Sequence, residues 1–329
     1  MVSWQAVHGL AGRPRHTPDR VRPDLADGGP GLALAYHQLD RCQPGRGWGE
    51  MARGYLAASA AGAQRLGGTG AAPGLYGGLA GLALAAWIVT GDPGVLPEVH
   101  DSVLRQALVR AEALADPAPE RAVDLISGLT GTAAYLLCRH PETDHVLRAV
   151  LSALVAQRYE LDCGVAHGDS GPLVLLCLAA DCGVVVPGQH EAIARLAARQ
   201  VEELPFVSWC RGGAGLACAL WAAGVTLDDV GLRERAVRTL KSVHRRAVTT
   251  PYLGLCHGKA GLLIITTRFA RLTGDGELVA AADRLLAEVA ATPVTSGPGL
   301  LDGAAGVVLA LLAALTEEPP TWARVLLLC

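Results

Sequence analysis

A Gly-x-x-Gly pair followed by a small, apolar run occurs seven times in this chain of 329 residues. The pairs are Gly28/Gly31, Gly78/Gly81, Gly128/Gly131, Gly168/Gly171, Gly212/Gly215, Gly258/Gly261 and Gly303/Gly306. Successive first glycines stand 50, 50, 40, 44, 46 and 45 residues apart. A period of this length marks one supersecondary unit used repeatedly. Each unit reads alike. After the glycines comes a run apolar on nearly all sides, such as Leu79 to Val89, Pro172 to Ala180 or Val307 to Ala314. Such a run predicts a buried helix. A Gly, Pro or Asp break follows, as in Thr90-Gly91-Asp92-Pro93 and Thr273-Gly274-Asp275-Gly276. Amphipathic segments come next: Val99 to Ala115, His145 to Arg158, His190 to Leu204, Leu232 to Val248 and Glu277 to Ala290, with Thr321 to Leu328 as the seventh.

A buried helix paired with an exposed one, seven times over, predicts an all-α fold. The expected form is an α/α toroid, a double ring of seven inner and seven outer helices. An open solenoid of the HEAT or armadillo kind has an overlapping period. A solenoid leaves one face of each helix layer free, whereas these inner segments are apolar all round. Composition agrees. Hydrophobic residues reach 51% while aromatics are only 4%. Ala and Leu, the main apolar types, are strong helix formers. Residues 1–27 are rich in Pro and Arg and read as an irregular lead-in. Residues 28–329 read as a single domain.

Net charge is −3, with no basic block, which argues against a nucleic-acid partner. Nine scattered cysteines, an odd number, read as reduced thiols in a cytosol rather than a disulfide framework. The first residues lack the apolar core of a secretion signal. Gly67 to Gly91 is free of charge, but its compact apolar part, Leu79 to Val89, is too short to cross a bilayer. A cytoplasmic protein without a transmembrane segment is expected, with attachment to a biosynthetic complex at the membrane as the other location.

The residues that can carry chemistry share one phase of the repeat. Asp124 lies four before Gly128, His167 one before Gly168, and Cys210 two before Gly212. Cys256 and His257 lie two and one before Gly258, and Asp302 one before Gly303. All fall in loops that lead into the buried helices. Parallel inner helices turn such loops toward one end of a ring. Glycine there lets the backbone approach closely and lets the turn adopt positive φ. Cys210, Cys256 and His257 provide three soft or borderline ligands. Three protein ligands leave one position open on a tetrahedral zinc, as catalytic sites require. Cys42, Cys138, Cys163, Cys177, Cys182, Cys218 and Cys329 are out of phase and read as core or surface thiols. His8, His16, His37, His100, His140, His145, His190 and His244 read as solvated.

Five segments taken together resemble the lanthipeptide cyclase family, the LanC-like proteins. They are Asp124-Leu-Ile-Ser-Gly-Leu-Thr-Gly131, Ala166-His167-Gly168, Ser208-Trp209-Cys210-Arg211-Gly212, Leu255-Cys256-His257-Gly258 and Gly299-Leu-Leu-Asp302-Gly303. The resemblance runs over almost the whole chain. It implies a seven-plus-seven α/α toroid, with Zn2+ bound through Cys210, Cys256 and His257. It implies proton transfer by His167 and Asp124. Many members carry an Arg shortly before the Trp-Cys pair and an aromatic after the Cys. Phe206 and Arg211 stand at those places here, which makes Arg211 the candidate stand-in for a displaced arginine.

The activity implied is addition of a peptide cysteine thiol to dehydroalanine or dehydrobutyrine, giving (methyl)lanthionine thioether rings. The implied substrate is a dehydrated precursor peptide. The chain lacks the dehydratase portion of the fused synthetases, so a separate dehydratase protein is the implied partner. Two other activities suit a zinc-bound thiol. One is a LanC-like protein adding glutathione or another thiol to modified proteins. The other is a prenyltransferase-like subunit, disfavoured because only two Phe are present to line an isoprenoid pocket. A helical scaffold without activity would not need Cys210, Cys256 and His257 in phase.

Overall fold

The computed structural model describes residues 7–9, 21–65, 72–160, 162–201, 204–246 and 250–328. The readings of His16, Cys329 and most of the lead-in lie outside these residues, as does the predicted helix end at Val248. Among the described residues the regular structure is helical, with no strand. Helices follow the seven glycine pairs at Gly29–Cys42, Leu79–Thr90, Leu129–Cys138, Ser170–Asp181, Gly213–Thr226, Lys259–Thr273 and Ala304–Leu315. Between them run Trp48–Arg65, Pro97–Glu112, Asp144–Val155, Gln189–Arg199, Val230–Arg245 and Gly276–Ala291.

The two sets differ in burial as their sequences dictate. Leu129–Cys138 buries every residue except Leu137. Ala304–Leu315 buries the continuous stretch from Ala305 to Ala313. In Val230–Arg245, by contrast, the buried residues are Ala236, Thr239, Leu240 and Val243. Their spacing is that of one stripe on a helix whose other faces meet water. The break at Thr273-Gly274-Asp275-Gly276 works through two caps. Gly274 takes the left-handed conformation at φ 65° that ends a helix. Asp275 then accepts the amide protons of Glu277 and Leu278 and starts the next one.

The chain divides into two compact units. One draws its described residues from 1–68, 82–96 and 244–322, the other from 69–81, 97–243 and 323–329. In the first unit Gly29–Cys42 packs against Trp48–Arg65 and Ala304–Leu315, and Lys259–Thr273 against Gly276–Ala291. Tyr36 stacks on both Trp48 and Tyr55, at centroid distances of 5.7 and 5.6 Å. In the second unit Leu129–Cys138 packs on Asp144–Val155 and Ser170–Asp181, and Ser170–Asp181 on Gly213–Thr226.

Within each unit, backbone hydrogen bonds join the loops that precede successive buried helices. In the second unit Tyr76 N donates to Ile126 O at 3.1 Å, Leu125 N to Ala166 O at 3.1 Å, and Ala166 N to Cys210 O at 3.2 Å. In the first, Cys256 N donates to Leu301 O at 3.0 Å and Leu300 N to Ala26 O at 2.7 Å. Neighbouring loops therefore lie side by side. The glycines permit this by close approach alone. A Cβ on Gly131, Gly215, Gly261 or Gly306 would collide with the carbonyl oxygen of Leu125, Trp209, Leu255 or Leu300 respectively. The freedom to take positive φ is not used at these glycines. The first glycines Gly28, Gly128, Gly212, Gly258 and Gly303 have φ from −91° to −125°, which any residue can adopt. The lack of a side chain is what the packing requires.

Three expectations change. Thr321 to Leu328 is not a seventh α-helix but a 3-10 segment, Thr321–Leu326. Its carbonyls bond to side chains instead of to a next turn: Tyr76 Oη donates to Val325 O at 2.7 Å and Trp209 Nε1 to Leu326 O at 3.1 Å. The segment predicted to run to Leu204 stops at Arg199, because the buried Gln200 side chain bonds Asp169 and Ser170. Several histidines read as solvated are partly enclosed. His244 bonds Thr266 Oγ1 at 2.9 Å, His100 bonds Tyr135 Oη at 2.7 Å, and His37 is half-buried on Gly29–Cys42. Burial lowers the pKa of all three, that of His244 to about 4.

Candidate active site

Asp124 ends a single helical turn, Glu120–Val123, that Pro119 begins. Its carboxylate is 2% exposed. Oδ1 accepts the amide protons of Ser127 at 2.7 Å and Gly128 at 2.8 Å. Those two bonds fix the rotamer and send Oδ2 toward the next loop of the second unit. There Oδ2 lies 3.2 Å from His167 Nδ1. Burial pulls the Arg110 guanidinium below its usual range, while the charge of Asp124 pulls it back up.

The His167 loop is held from behind. Asp169, 1% exposed, receives Arg199 Nε at 3.1 Å and Gln200 Nε2 at 3.0 Å. Ser170 Oγ donates to Gln200 Oε1 at 2.7 Å and accepts Gly164 N at 3.1 Å. Gly164 lets the Cys210 loop close in: a Cβ there would sit 2.9 Å from Cys210 O and 3.5 Å from Arg211 Cα. His167 itself is only partly buried. With Nδ1 turned to a carboxylate, Nε2 is the ring nitrogen left to meet a bound molecule.

A second carboxylate joins this pair. Glu120 Oε1 lies 3.6 Å from His167 Nδ1 and accepts Arg211 Nη2 at 3.0 Å. Glu120, Asp124 and His167 each bring one ligand-type atom within 4.8 Å of the others. Sequence reasoning missed Glu120. The signal was present: it follows Pro119 at a helix start, four residues before Asp124, and that spacing puts both on one helix face. Arg211, read as a stand-in for a displaced arginine, is thus ion-paired within the same cluster. Phe206, at the usual place of that arginine, is 61% exposed.

Of the three metal-ligand candidates, one belongs to the second unit and two to the first. In the second, the half-buried Cys210 directs Sγ to Ser208 Oγ at 3.5 Å. In the first, the half-buried Cys256 is anchored by its backbone bond to Leu301, next to His257. His257 Nδ1 lies 3.6 Å from Asp302 Oδ1. Tyr252 packs edge-on to the His257 ring at 4.7 Å, and Thr250 Oγ1 donates to His257 O at 3.1 Å. An imidazole whose Nδ1 faces a carboxylate keeps Nε2 for a ligand on its other side. Neither Cys210 nor Cys256 forms a disulfide. Cys138, Cys177 and Cys218 are buried in helices. Burial pushes Cys177 up to about 12, where it stays an inert thiol.

An all-helical chain with a carboxylate–imidazole pair and cysteines in the loops ahead of its buried helices defines a class of helical enzyme-like protein. The chain belongs to the lanthionine synthetase C-like family, whose profile matches residues 19–327. It is similar to "Nisin biosynthesis protein NisC" of Lactococcus lactis subsp. lactis, at 24% identity over an alignment covering 72% of each chain. Among solved structures it is similar to "Nisin cyclase", with a TM-score of 0.80 and 20% identity, covering 98% of this chain and 96% of that one. The structural likeness establishes the fold, and the class is the α/α toroid expected from the seven repeats. Among the described residues no helix is long and apolar enough to cross a membrane.

Proposed function

We propose that this protein is a zinc-dependent lanthipeptide cyclase that closes thioether rings in a dehydrated precursor peptide. In each closure a peptide cysteine sulfur adds to Cβ of dehydroalanine or dehydrobutyrine, and a proton is delivered to Cα. Residues 28–329 act as one catalytic domain in the cytoplasm, on peptide supplied by a separate dehydratase. Family membership supports the reaction class. The observation that carries the reading is the His167–Asp124 pair, an imidazole held by a carboxylate that is itself buried and doubly hydrogen-bonded.

The donor set fits zinc. Cys210 and Cys256 are half-buried and form no disulfide, and His257 has Nδ1 toward Asp302, which leaves Nε2 for a ligand. These three residues would hold the ion and leave one position for a substrate sulfur. When bound, zinc supplies the charge that keeps an incoming thiol as thiolate near neutral pH.

The chain's own residues do the rest. His167 takes up at Nε2 the proton that the peptide thiol releases and gives it to Cα of the new enolate, so the addition neither gains nor loses a proton. Asp124 accepts a hydrogen bond from Nδ1–H throughout, which fixes the tautomer and the ring plane. The loop bonds of Gln200, Asp169 and Ser170 keep that ring from swinging away. Holding both ends of one peptide at the site makes the addition effectively unimolecular.

The deciding experiment is mass spectrometry of a dehydrated candidate peptide incubated with and without the protein, followed by thiol alkylation. Ring closure leaves mass unchanged but removes alkylatable thiols. Thiols that stay fully alkylatable with zinc-loaded protein, while glutathione adds to dehydrated sites, identify an intermolecular thiol transferase instead.

A further inference from the structure

Two carboxylates converge on one nitrogen of His167, and an arginine holds the outer one. Asp124 Oδ2 is 3.2 Å and Glu120 Oε1 3.6 Å from Nδ1, and Arg211 Nη2 is 3.0 Å from the same Glu120 oxygen. The convergence is built into a single turn: Asp124 N bonds Glu120 O at 2.8 Å, which stacks the two side chains one above the other. We propose that Glu120 is a positioning residue that links Arg211 to the His167 ring. This rests on the proposed role of His167 in ring closure.

The alternative is an ordinary surface ion pair. Glu120 and Arg211 keep 36% and 48% of their side-chain exposure, and exposed pairs contribute little to stability. What distinguishes this pair is its surroundings. Arg211 directly follows Cys210, and its backbone N bonds Ser208 Oγ at 3.4 Å, the hydroxyl that also receives Cys210 Sγ. The guanidinium therefore ties the Cys210 loop to the turn that orients His167. Without Glu120, the nitrogen keeps Asp124 but loses its second carboxylate neighbour, and Arg211 loses its anchor. The ring then samples orientations in which Nε2 misses Cα.

The test uses the full chain with Glu120→Gln, Glu120→Asp and Arg211→Gln, with zinc content and melting temperature followed in each. For Glu120→Gln the expected result is a kcat lowered about ten- to a hundredfold, with KM, zinc and melting temperature unchanged. Glu120→Asp recovers part of the rate. The double variant Glu120→Gln/Arg211→Gln loses no more than the worse single variant, as linked residues do. Ring 15N resonances of His167 are recorded without peptide, and they shift in both Glu120→Gln and Arg211→Gln. An unmoved His167 spectrum overturns the linkage whether or not the protein closes rings. A moved spectrum with wild-type kcat overturns the positioning role. The wild-type ring-closure assay separately decides the reading on which the proposal rests.

Discussion

His167 Nδ1 lies 3.2 Å from Asp124 Oδ2, across forty-three residues of sequence. The contact depends on two loops lying side by side, joined by the bond from Leu125 N to Ala166 O. It leaves the opposite ring nitrogen for chemistry.

Asp124→Asn separates orientation from metal binding. The amide oxygen can still accept from Ser127 and Gly128, so the loop keeps its shape. The amide nitrogen at the other position donates, and cannot accept from His167 Nδ1. Zinc content is expected to stay the same while ring closure slows on the order of a hundredfold. Elemental analysis beside a timed mass-spectrometric assay checks both halves. Loss of zinc from a folded variant would show that Asp124 is a ligand after all.

His167→Ala and His167→Asn are expected to retain zinc and bind peptide. Cyclisation slows by about a hundred- to ten-thousandfold, the usual worth of a positioned general acid. Altered stereochemistry at Cα or trapped thiol adducts accompany the loss. Wild-type rates in a zinc-loaded variant remove His167 from the mechanism.

Zinc is expected at about one equivalent per chain, held by three ligands with one open position. The double variant Cys210→Ala/Cys256→Ala should purify without it. Elemental analysis of both proteins is sufficient, and unchanged metal content in the double variant refutes the ligand assignment.

Glycine substitutions should divide by contact rather than by φ. Gly131→Ala drives a methyl onto Leu125 O and to 2.8 Å from Leu75 Cβ, and is expected to cost about 1–3 kcal/mol. Gly54, inside Trp48–Arg65, has nothing within 4 Å of its would-be Cβ. Gly54→Ala is expected to stabilise by up to about 1 kcal/mol. Urea unfolding midpoints with unchanged slopes provide the comparison.

His244 makes stability fall in acid. Burial and Arg284 lower its pKa to about 4, against about 6.5 for an unfolded chain. A depressed folded pKa gives stability that is complete above about pH 6.5 and is lost as pH falls toward 4. The unfolded state takes up the proton first. Part of the ring still meets water, so the loss is about 2 kcal/mol. His244→Gln should flatten the melting-temperature profile between those limits; a profile identical to wild type assigns the acid sensitivity elsewhere.

The seven buried helices, most of the exposed ones and the phase of the candidate site residues are legible in sequence because they are local and periodic. Burial on all sides of Leu129–Cys138, a single stripe on Val230–Arg245 and the caps at Gly274 and Asp275 need only a few neighbouring residues to specify them. The loop positions of Asp124, His167, Cys210, Cys256 and His257 followed from counting against the glycines. Those counts also mark the glycines as points of close backbone approach, which the contacts bear out. Close contact with a carbonyl six residues earlier, not positive φ, excludes a side chain there.

Partner choice was settled only in three dimensions. Glu120 stands at helical spacing from Asp124, yet nothing local shows that it reaches His167, or that Arg211 pairs with it from ninety-one residues away. The last segment has the composition of a helix, yet Tyr76 and Trp209 bond the carbonyls of Val325 and Leu326 and hold a 3-10 form. Hydrophobic pattern determines which face of a helix is buried, since burial is non-directional and scales with area. Hydrogen bonds and ion pairs demand particular atoms within about 3 Å. Their partners are therefore chosen by the packing that brings distant loops together.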